Sequence, residues 1–331
     1  MRRREFITLL GGAATTWPLV VHAQQSAPMR RIGALSSLTE SDPREKAAYG
    51  SFRKRLEELG WSVGRNLSID HRWAKGDPSL IRVYAAELIA LKPDALHAFS
   101  TPAVAALLQK TQTIPIVFVG VTDPVGNGFV NSFAYPGRNA TGFTNYEPTI
   151  PGKWLELLRE IAPRTSRVAA LFNPITAPYA TKFYIAALES AGLALAIQIT
   201  AASVREPTDI ETILSEFARE PGGGLIVIPD SFTIEHRRRI ISVAEQKQLP
   251  AIYPYRYVGP EGGLVSYGYD EFEFYPRSAE YIDRILKGED PRNLPVQAPT
   301  KFVLVINLKT AKALGLTVPL HLQQTADEII E

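Results

Sequence analysis

Short, continuous runs of apolar residues recur along the chain, and most are followed by a segment with apolar residues at helical spacing. The clearest run is Ile-Pro-Ile-Val-Phe-Val at 114–119, which lacks the polar alternation of a half-exposed strand. We therefore predict a strand buried on both faces, as in parallel sheets. Turn-forming residues follow at 122–128, just beyond the carboxyl end of this strand, where open α/β sheets bind their ligands.

The first part of the chain alternates predicted strands with predicted helices. Asp42-Pro43-Arg44-Glu45 is typical of a helix start, with an N-cap, a proline at the first helical position and a capping-box carboxylate. Gly60 is expected to end this helix, and Asp77-Pro78 to start the next. Alternation at these lengths indicates βαβ units with right-handed crossovers, and so a doubly wound α/β lobe. The strands are predicted at 31–35, 67–73, 95–99 and 114–119.

The alternation stops at 134–147 and then starts again. This segment has no helical period, and we interpret it as the first crossing between two lobes. Thr208-Asp209-Ile210-Glu211 predicts a second capping box, and Gly192 is expected to end the helix at 182–191. Pro276 predicts a kink or a later start for the helix at 270–286. Further strands are predicted at 168–172, 193–199, 225–228, 251–253, 263–268 and 301–307, and a short helix capped by Asn307 at 308–314.

The first 23 residues are interpreted as an export signal. An arginine pair precedes Phe6-Ile7 as in twin-arginine signals, and Val21-His22-Ala23 predicts cleavage after Ala23. The alternative is an uncleaved membrane anchor, but the apolar segment is shorter than the roughly 20 residues that a span needs. We therefore expect an exported, soluble protein.

Composition limits the classes of partner. With 331 residues, 45% hydrophobic and 21% charged, the chain is long enough for two hydrophobic cores. The leader carries three arginines and one glutamate, so its removal brings the formal net charge from +2 to zero and leaves no electrostatic footprint for nucleic acid. The absence of cysteine excludes disulfides, thiolate metal sites and a lipid-modified amino terminus. Export without cysteine indicates a free periplasmic protein of a Gram-negative cell.

Five short motifs follow one another along the mature chain. They are Thr-Pro-Ala at 101–103, Val-Thr-Asp-Pro-Val-Gly at 121–126, Pro-Gly-Arg-Asn-Ala-Thr-Gly at 136–142, Gly-Leu-Val-Ser-Tyr-Gly at 263–268 and Val-Ile-Asn-Leu-Lys-Thr-Ala at 305–311. In this order they resemble the substrate-binding proteins of ABC importers, whose better-known members bind tryptophan, tyrosine or related amino acids. The resemblance runs from about Ile32 to the end of the chain.

The resemblance implies a type I periplasmic-binding fold, with two doubly wound parallel-sheet lobes joined by three crossing strands. Lobe one would comprise 29–143 and 267–298, and lobe two 144–266 and 299–331. The implied function is the periplasmic substrate-binding component of an ABC importer. Such a protein would be a monomer that closes its hinge on an amino acid or an aromatic or carboxylate compound. It would deliver this solute to a membrane permease and its ATPase, and no cofactor is implied.

In such a fold the ligand-binding candidates follow the carboxyl ends of the strands. Ser100 and Thr101 precede a helix whose first N–H groups and dipole favour an anion, so a ligand carboxylate is predicted there. The alternative is that one of these residues simply caps the helix. Asp123 is interpreted as part of the turn. The candidates from lobe one and the first crossing are Ser36, Ser37, Ser100, Thr101, Thr122 and Asn145.

The candidates from lobe two and the second crossing are Asn173, Asp230, Tyr255, Arg256 and Tyr267. Asp230 follows a buried strand and is predicted to receive a ligand ammonium. The alternatives are that it caps the next helix or pairs with one of Arg237 to Arg239. Arg256 departs from the amino-acid binders of the family and could receive a second carboxylate. Tyrosines near this edge could stack on an aromatic ligand or pack in the core, and they include Tyr146, Tyr179, Tyr253, Tyr257 and Tyr269.

Other classes of function find less support. The chain has no G-x-S-x-G elbow, no phosphate-binding G-x-x-x-x-G-K-[ST] and no H-E-x-x-H, and its five histidines lack metal-ligand spacing, so neither an enzyme nor a metal site is expected. His236 and Arg237 to Arg239 are expected to form a solvated helix face. No helix-turn-helix precedes Ile32, which argues against a repressor of the same fold. A periplasmic sensor that presents its solute to a membrane receptor is an alternative that the sequence does not separate from transport.

Overall fold

Two β-sheets form the centres of two α/β lobes in the computed structural model, which describes residues 29–145 and 147–331. The predicted export signal and Tyr146 lie outside the described residues. In the described part of the chain, no helix has the length and apolar character needed to cross a lipid bilayer.

The first sheet is parallel throughout, in the order β2-β1-β3-β4-β5. Its strands are β1 (Arg30–Ser36), β2 (Leu67–Trp73), β3 (Ala95–Phe99), β4 (Ile116–Val121) and β5 (Ala140–Thr144). The helices between them are α1 (Pro43–Glu58), α2 (Pro78–Ala90) and α3 (Thr101–Leu108). The residues of β3 are all buried, as are those of β5 and most of β4, which confirms the prediction of strands covered on both faces.

The second sheet has seven strands in the order β12-β11-β10-β9-β8-β6-β7. They are β6 (Arg167–Phe172), β7 (Gln198–Ser203), β8 (Gly223–Val227), β9 (Ala251–Tyr253), β10 (Val265–Tyr269), β11 (Phe302–Asn307) and β12 (Glu328–Ile330). The α-helices up to β10 are α4 (Ile150–Ile161), α5 (Ala186–Leu195), α6 (Pro207–Phe217), α7 (Ser231–Glu235) and α8 (Arg237–Gln246), and a π-helical turn, Thr181–Ile185, leads into α5. Every pair of neighbouring strands is parallel except β10 and β11, which are antiparallel.

The chain crosses between the lobes three times: after β5, after β10 and before β11. Between the last two crossings it forms α9 (Phe274–Leu286), which packs on α1 and on three strands of the first sheet. The pairing of β10 with β11 extends to Tyr269, two residues beyond the position at which lobe one is predicted to resume. The chain ends on the second lobe with α10 (Leu308–Ala313), α11 (Leu320–Thr325) and β12. This is the two-lobe, three-crossing arrangement of a type I periplasmic-binding fold.

Several predicted helix ends are confirmed. The Asp42 carboxylate accepts a hydrogen bond from the Arg44 N–H at 2.9 Å, and Asp77 accepts one from the Ser79 N–H at 2.7 Å. Asn307 caps α10 by accepting from the Thr310 N–H at 3.0 Å. A short 3₁₀ turn, Glu271–Glu273, precedes α9, so the later start indicated by Pro276 is also confirmed.

Other boundaries differ from the prediction in the second lobe. The capping box lies earlier than predicted, because Pro207 takes the first helical position and the Asp209 carboxylate accepts from the Glu206 N–H at 2.9 Å. The helix predicted to end at Gly192 continues to Leu195, and Ala196 ends it in the left-handed conformation. A Cβ at Gly192 would lie 2.5 Å from the Ile197 carbonyl oxygen, so this glycine permits close packing. Strand β7 consequently begins later than predicted.

Candidate functional site

Polar side chains from four strand ends of the first sheet, those of β1, β3, β4 and β5, are brought together. The hydroxyl oxygens of Ser37 and Ser100 lie 2.5 Å apart. The Thr101 hydroxyl accepts a hydrogen bond from the Thr122 N–H at 3.1 Å, and the Thr122 hydroxyl donates to the Asn145 side-chain oxygen at 2.7 Å. These buried side chains form the strand-end cluster, and the region between this cluster and the second lobe is termed the interlobe cleft; the cluster comprises Ser36, Ser37, Ser100, Thr101, Thr122 and Asn145.

The start of α3 has an unusual backbone. Ser100 has a φ of 90°, a conformation that L-residues adopt rarely and that occurs mostly where the surrounding structure imposes it. The alternative of capping by Ser100 is wrong, since its side chain makes no capping hydrogen bond to α3 and its hydroxyl contacts Ser37 instead. Hydroxyl groups and the amino end of an eight-residue helix therefore meet at one point of the cleft.

In the second lobe, Asp230 lies on the opposite side of the cleft and is buried. Its carboxylate accepts hydrogen bonds from the Asn173 N–H at 2.7 Å, from the Phe232 N–H at 2.9 Å and from the Thr176 hydroxyl. The Phe232 bond caps α7, so the capping alternative is confirmed. Burial raises the pKa of Asp230 to about 6, against the opposing effect of these hydrogen bonds.

The loop after β6 joins the two sides of the cleft. Asn173 shapes this loop, because its side-chain oxygen accepts from the Ile175 N–H at 2.8 Å and its amide donates to the Arg205 carbonyl at 3.1 Å. The loop carries Tyr179, whose hydroxyl donates to the Pro229 carbonyl at 3.2 Å. The same hydroxyl interacts with the hydroxyls of Thr101 and Thr122 in the first lobe. Tyr179 thus connects the strand-end cluster with the second lobe.

Tyrosine rings fill the part of the cleft near the crossings. The rings of Tyr255 and Tyr257 are stacked with centroids 5.4 Å apart, and Tyr269 meets Tyr255 edge-on at 6.3 Å. The Arg44 guanidinium, from the first lobe, lies 4.0 Å from the centre of the Tyr257 ring. Burial raises the pKa of Tyr257 to about 12, so its hydroxyl stays protonated and neutral. Tyr253 is buried within β9.

Arg256 and Tyr267 are not brought into this group. The Arg256 guanidinium donates to Asp270 at 2.9 Å and to Glu328 at 3.3 Å, and the side chain is 41% exposed. Tyr267 is half-buried and stacks on Phe302 with centroids 5.8 Å apart. Its carbonyl accepts from the Trp154 indole at 2.6 Å.

Sequence reasoning missed Glu45 as a residue of the cleft. The predicted capping box at α1 is wrong. The Glu45 carboxylate accepts from the Tyr275 hydroxyl at 3.2 Å and interacts with the Ser36 hydroxyl. Burial raises the pKa of Glu45, while these hydroxyls and Arg44 lower it. The short separation in sequence between the end of β1 and the start of α1 was the available signal. A helix that starts so soon after a strand has its first turn at the carboxyl edge of the sheet.

The expectation of a solvated face at Arg237 to Arg239 is wrong for the first of these residues. Arg237 is buried, and it donates to the Asp42 carboxylate of the first lobe at 2.8 Å and to both Glu261 oxygens at 2.8 and 2.9 Å. Thr39 in the first lobe donates to Glu235 at 2.5 Å beside it. Arg238 and Arg239 are more exposed. These contacts connect the lobes at the rim of the cleft and are termed the rim contacts.

Asp123 forms the predicted turn, with its carboxylate accepting from the Gly126 N–H at 2.9 Å. Among the residues that the structure describes, no group of three or more histidine, cysteine, aspartate or glutamate side chains is arranged to hold a metal ion.

Two α/β lobes, three crossings and polar strand ends that face one another define a two-lobed solute-binding architecture. The chain matches the family model described as ABC transporter substrate binding protein over residues 34–330. It belongs to this family.

Relatives of known name or structure agree with this assignment. A tyrosine-binding protein of Clostridioides difficile (strain R20291) is 26% identical over 291 residues, which are 88% of this chain and 82% of that protein. The crystal structure of a conserved domain protein from Vibrio cholerae O1 biovar El Tor N16961 is 26% identical, with a TM-score of 0.83 over 91% of this chain and 99% of that one. An ABC domain from Streptococcus pneumonia in complex with L-Trp has the same fold, with 22% identity and a TM-score of 0.83 over 91% of this chain and all of the other.

Proposed function

We propose that this protein is the periplasmic solute receptor of an ABC importer, and that it binds a small amino acid-type solute in the interlobe cleft. The observation that carries the proposal is the meeting of Tyr179 from the second lobe with Thr101 and Thr122 from the first. Polar groups from both sheets converge there at the edge where α/β folds take their ligands. The names of the relatives, one tyrosine-binding and one bound to L-Trp, support an amino acid.

The ligand carboxylate is placed at the start of α3. The first N–H groups of this helix and its dipole favour an anion, and the hydroxyls of Ser37, Ser100 and Thr122 add donors. The strained φ of Ser100 supports the same placement, because such conformations cluster at ligand-binding positions. The buried rings of Tyr255, Tyr257 and Tyr269 would then face the ligand's side chain.

Binding would act by hinge closure. A ligand that contacts both lobes favours the closed state by its differential affinity, and the permease and its ATPase would recognise that state. The rim contacts Asp42–Arg237 and Thr39–Glu235 already join the lobes in this conformation. Export through the interpreted leader, with cleavage after Ala23, would place the receptor in the periplasm. A single chain contains both halves of the proposed site, so we expect a monomer.

The proposal is tested by a thermal-shift screen of the purified protein against amino acids, aromatic carboxylates and dicarboxylates. A ligand at 100 times its dissociation constant stabilises the folded state by roughly 2.7 kcal/mol, which raises the melting temperature by several degrees. We expect stabilisation by tyrosine, tryptophan or phenylalanine. Stabilisation by none of the compounds, confirmed by calorimetry, would contradict the proposed ligand class.

A matched pair of variants tests the location of the site. Thr122→Val removes a hydroxyl of the strand-end cluster at nearly constant volume, and it should weaken binding of the ligand from the screen roughly tenfold. Arg256→Ala should leave the dissociation constant unchanged, since Arg256 pairs with Asp270 and Glu328 outside the cluster. A larger loss of affinity for Arg256→Ala than for Thr122→Val in calorimetry would place the site elsewhere.

A further inference from the structure

Two consecutive residues in the first turn of α1 place opposite charges inside the interlobe cleft. Arg44 and Glu45 are 8% and 2% exposed. The Glu45 carboxylate is held by the hydroxyls of Tyr275 and Ser36. Because Ser36 ends β1 directly before Ser37, Glu45 lies at the same sheet edge as the strand-end cluster.

The two buried acids of the cleft differ in what surrounds them. Both oxygens of Asp230 are engaged, by two backbone N–H groups and one hydroxyl, in a cap and a loop contact. Glu45 has hydroxyl partners, which rotate and can also accept. The adjacent Arg44 also favours the charged form of Glu45, but its guanidinium lies over the Tyr257 ring, 4.0 Å from the ring centre. A buried carboxylate in this situation is stabilised by a cation with several N–H donors.

We propose that Glu45 receives the ammonium group of the ligand, and that Asp230 holds the loops of the second lobe without contacting it. This inference rests on the proposed function and narrows it to solutes with a protonated amine. Arg44 lies against Tyr257 of the second lobe, so closure of the lobes covers this turn of α1 and removes water from around Glu45. A charge-assisted bond gains strength in such surroundings.

Calorimetry with two probes tests the inference: L-tyrosine, and 3-(4-hydroxyphenyl)propionate, which keeps the ring and the carboxylate but lacks the amine. We expect the protein to prefer L-tyrosine. Glu45→Gln should weaken L-tyrosine binding at least about tenfold and leave binding of the propionate within about threefold, since truncating one partner of a buried charge pair costs at least this much. The matched control Asp230→Asn should leave the ratio of the two dissociation constants unchanged.

The outcomes separate this inference from the proposed function. The preference for L-tyrosine is the dissociation constant of the propionate divided by that of L-tyrosine. A preference that falls in Asp230→Asn but not in Glu45→Gln overturns the inference. Binding of the propionate alone by the unaltered protein keeps the receptor role and overturns amine recognition, whereas binding of neither probe nor any amino acid contradicts both. If Glu45→Gln does not fold, Tyr275→Phe removes one donor to the carboxylate. It should weaken L-tyrosine about threefold and not the propionate, and equal losses for both probes would overturn the inference.

Discussion

At the scale of single residues, buried ionisable groups make the stability of the protein depend on pH. Asp230 has three donors and a pKa of about 6, above the ordinary value of 3.8, because burial opposes its ionisation more than the donors favour it. His97 is also buried, with Nε2 3.0 Å from the Ser278 hydroxyl, and burial lowers its pKa to about 3. The two groups act on stability in opposite directions.

The stability of Asp230→Asn relative to that of the unaltered chain should increase as the pH rises. An acid whose pKa is raised by folding contributes stability that is fully present below the unfolded value near 3.8 and is lost as the pH rises through about 6. The change in relative stability between pH 4 and pH 7 is expected to be about 2 kcal/mol, because the unfolded carboxyl is already partly ionised at pH 4. Urea unfolding at several pH values measures it, and a difference independent of pH would contradict the role of burial.

His97→Gln should flatten the loss of stability in acid. The unfolded histidine takes up a proton near pH 6.5, whereas the folded one does so only near pH 3, so stability falls as the pH drops through this window. One such group contributes a slope of about 1.4 kcal/mol per pH unit. Glutamine keeps an amide that can reach Ser278 and removes the titration. The free energies of unfolding of both proteins are measured at pH 4.5, 5.5 and 6.5. If the two curves are parallel, His97 does not cause the loss of stability in acid.

At the scale of elements, a glycine on β5 shows how closely the first sheet packs at its edge. Gly142 has a φ of 147°, and a Cβ there would lie 2.1 Å from the Phe118 carbonyl oxygen on β4. Backbone atoms cannot yield as a flexible side chain can. The strand that leads into the first crossing therefore depends on glycine at this position.

Gly142→Ala is expected to lower the free energy of unfolding by more than about 2 kcal/mol, because it forces β4 and β5 apart. Gly50→Ala is the matched control: Gly50 lies inside α1 with nothing within 4 Å of the added Cβ. Alanine there should stabilise the protein by roughly 0.5 to 1 kcal/mol. Equal effects of the two substitutions in denaturant unfolding would show that packing at β5 does not matter.

Sequence patterns predicted the elements better than the surroundings of individual side chains. Strands β2 and β3 and the caps at Asp42 and Asp77 follow from local rules, because apolar runs and proline-marked helix starts act over a few residues. Glu45 and Arg237 were assigned to ordinary helix positions, since their partners lie far away in the chain. Short β12 and α11, with weak patterns, were not predicted either.

At the scale of the whole molecule, the rim contacts connect the lobes independently of any ligand. Arg237 and Asp42 have side chains only 9% and 7% exposed, so this cross-lobe ion pair is shielded from water. Glu261, in the same lobe as Arg237, holds the guanidinium in place by two hydrogen bonds. Under the proposed hinge closure, Arg237 would therefore favour the closed state.

Arg237→Met should shift the ligand-free protein toward the open state, by on the order of 1 kcal/mol or more, because the closed state loses a shielded ion pair. Small-angle X-ray scattering should record a larger radius of gyration, and calorimetry a weaker affinity. Arg238→Met is the control, since Arg238 is 75% exposed and lies 3.7 Å from Glu261. Identical scattering for both variants and the unaltered protein would contradict the proposal that Arg237 favours the closed state.

The position of α9 determines when the first lobe can be completed during synthesis. The rings of Phe143 and His97 pack against Phe274 and Tyr275 of α9, which the ribosome makes only after all strands from β6 to β10. A nascent chain therefore carries an uncovered apolar face on its amino-terminal sheet while the second lobe is being made. That interval is when chaperone binding or aggregation would compete with folding. The first lobe can therefore complete its folding only after α9 has been synthesised.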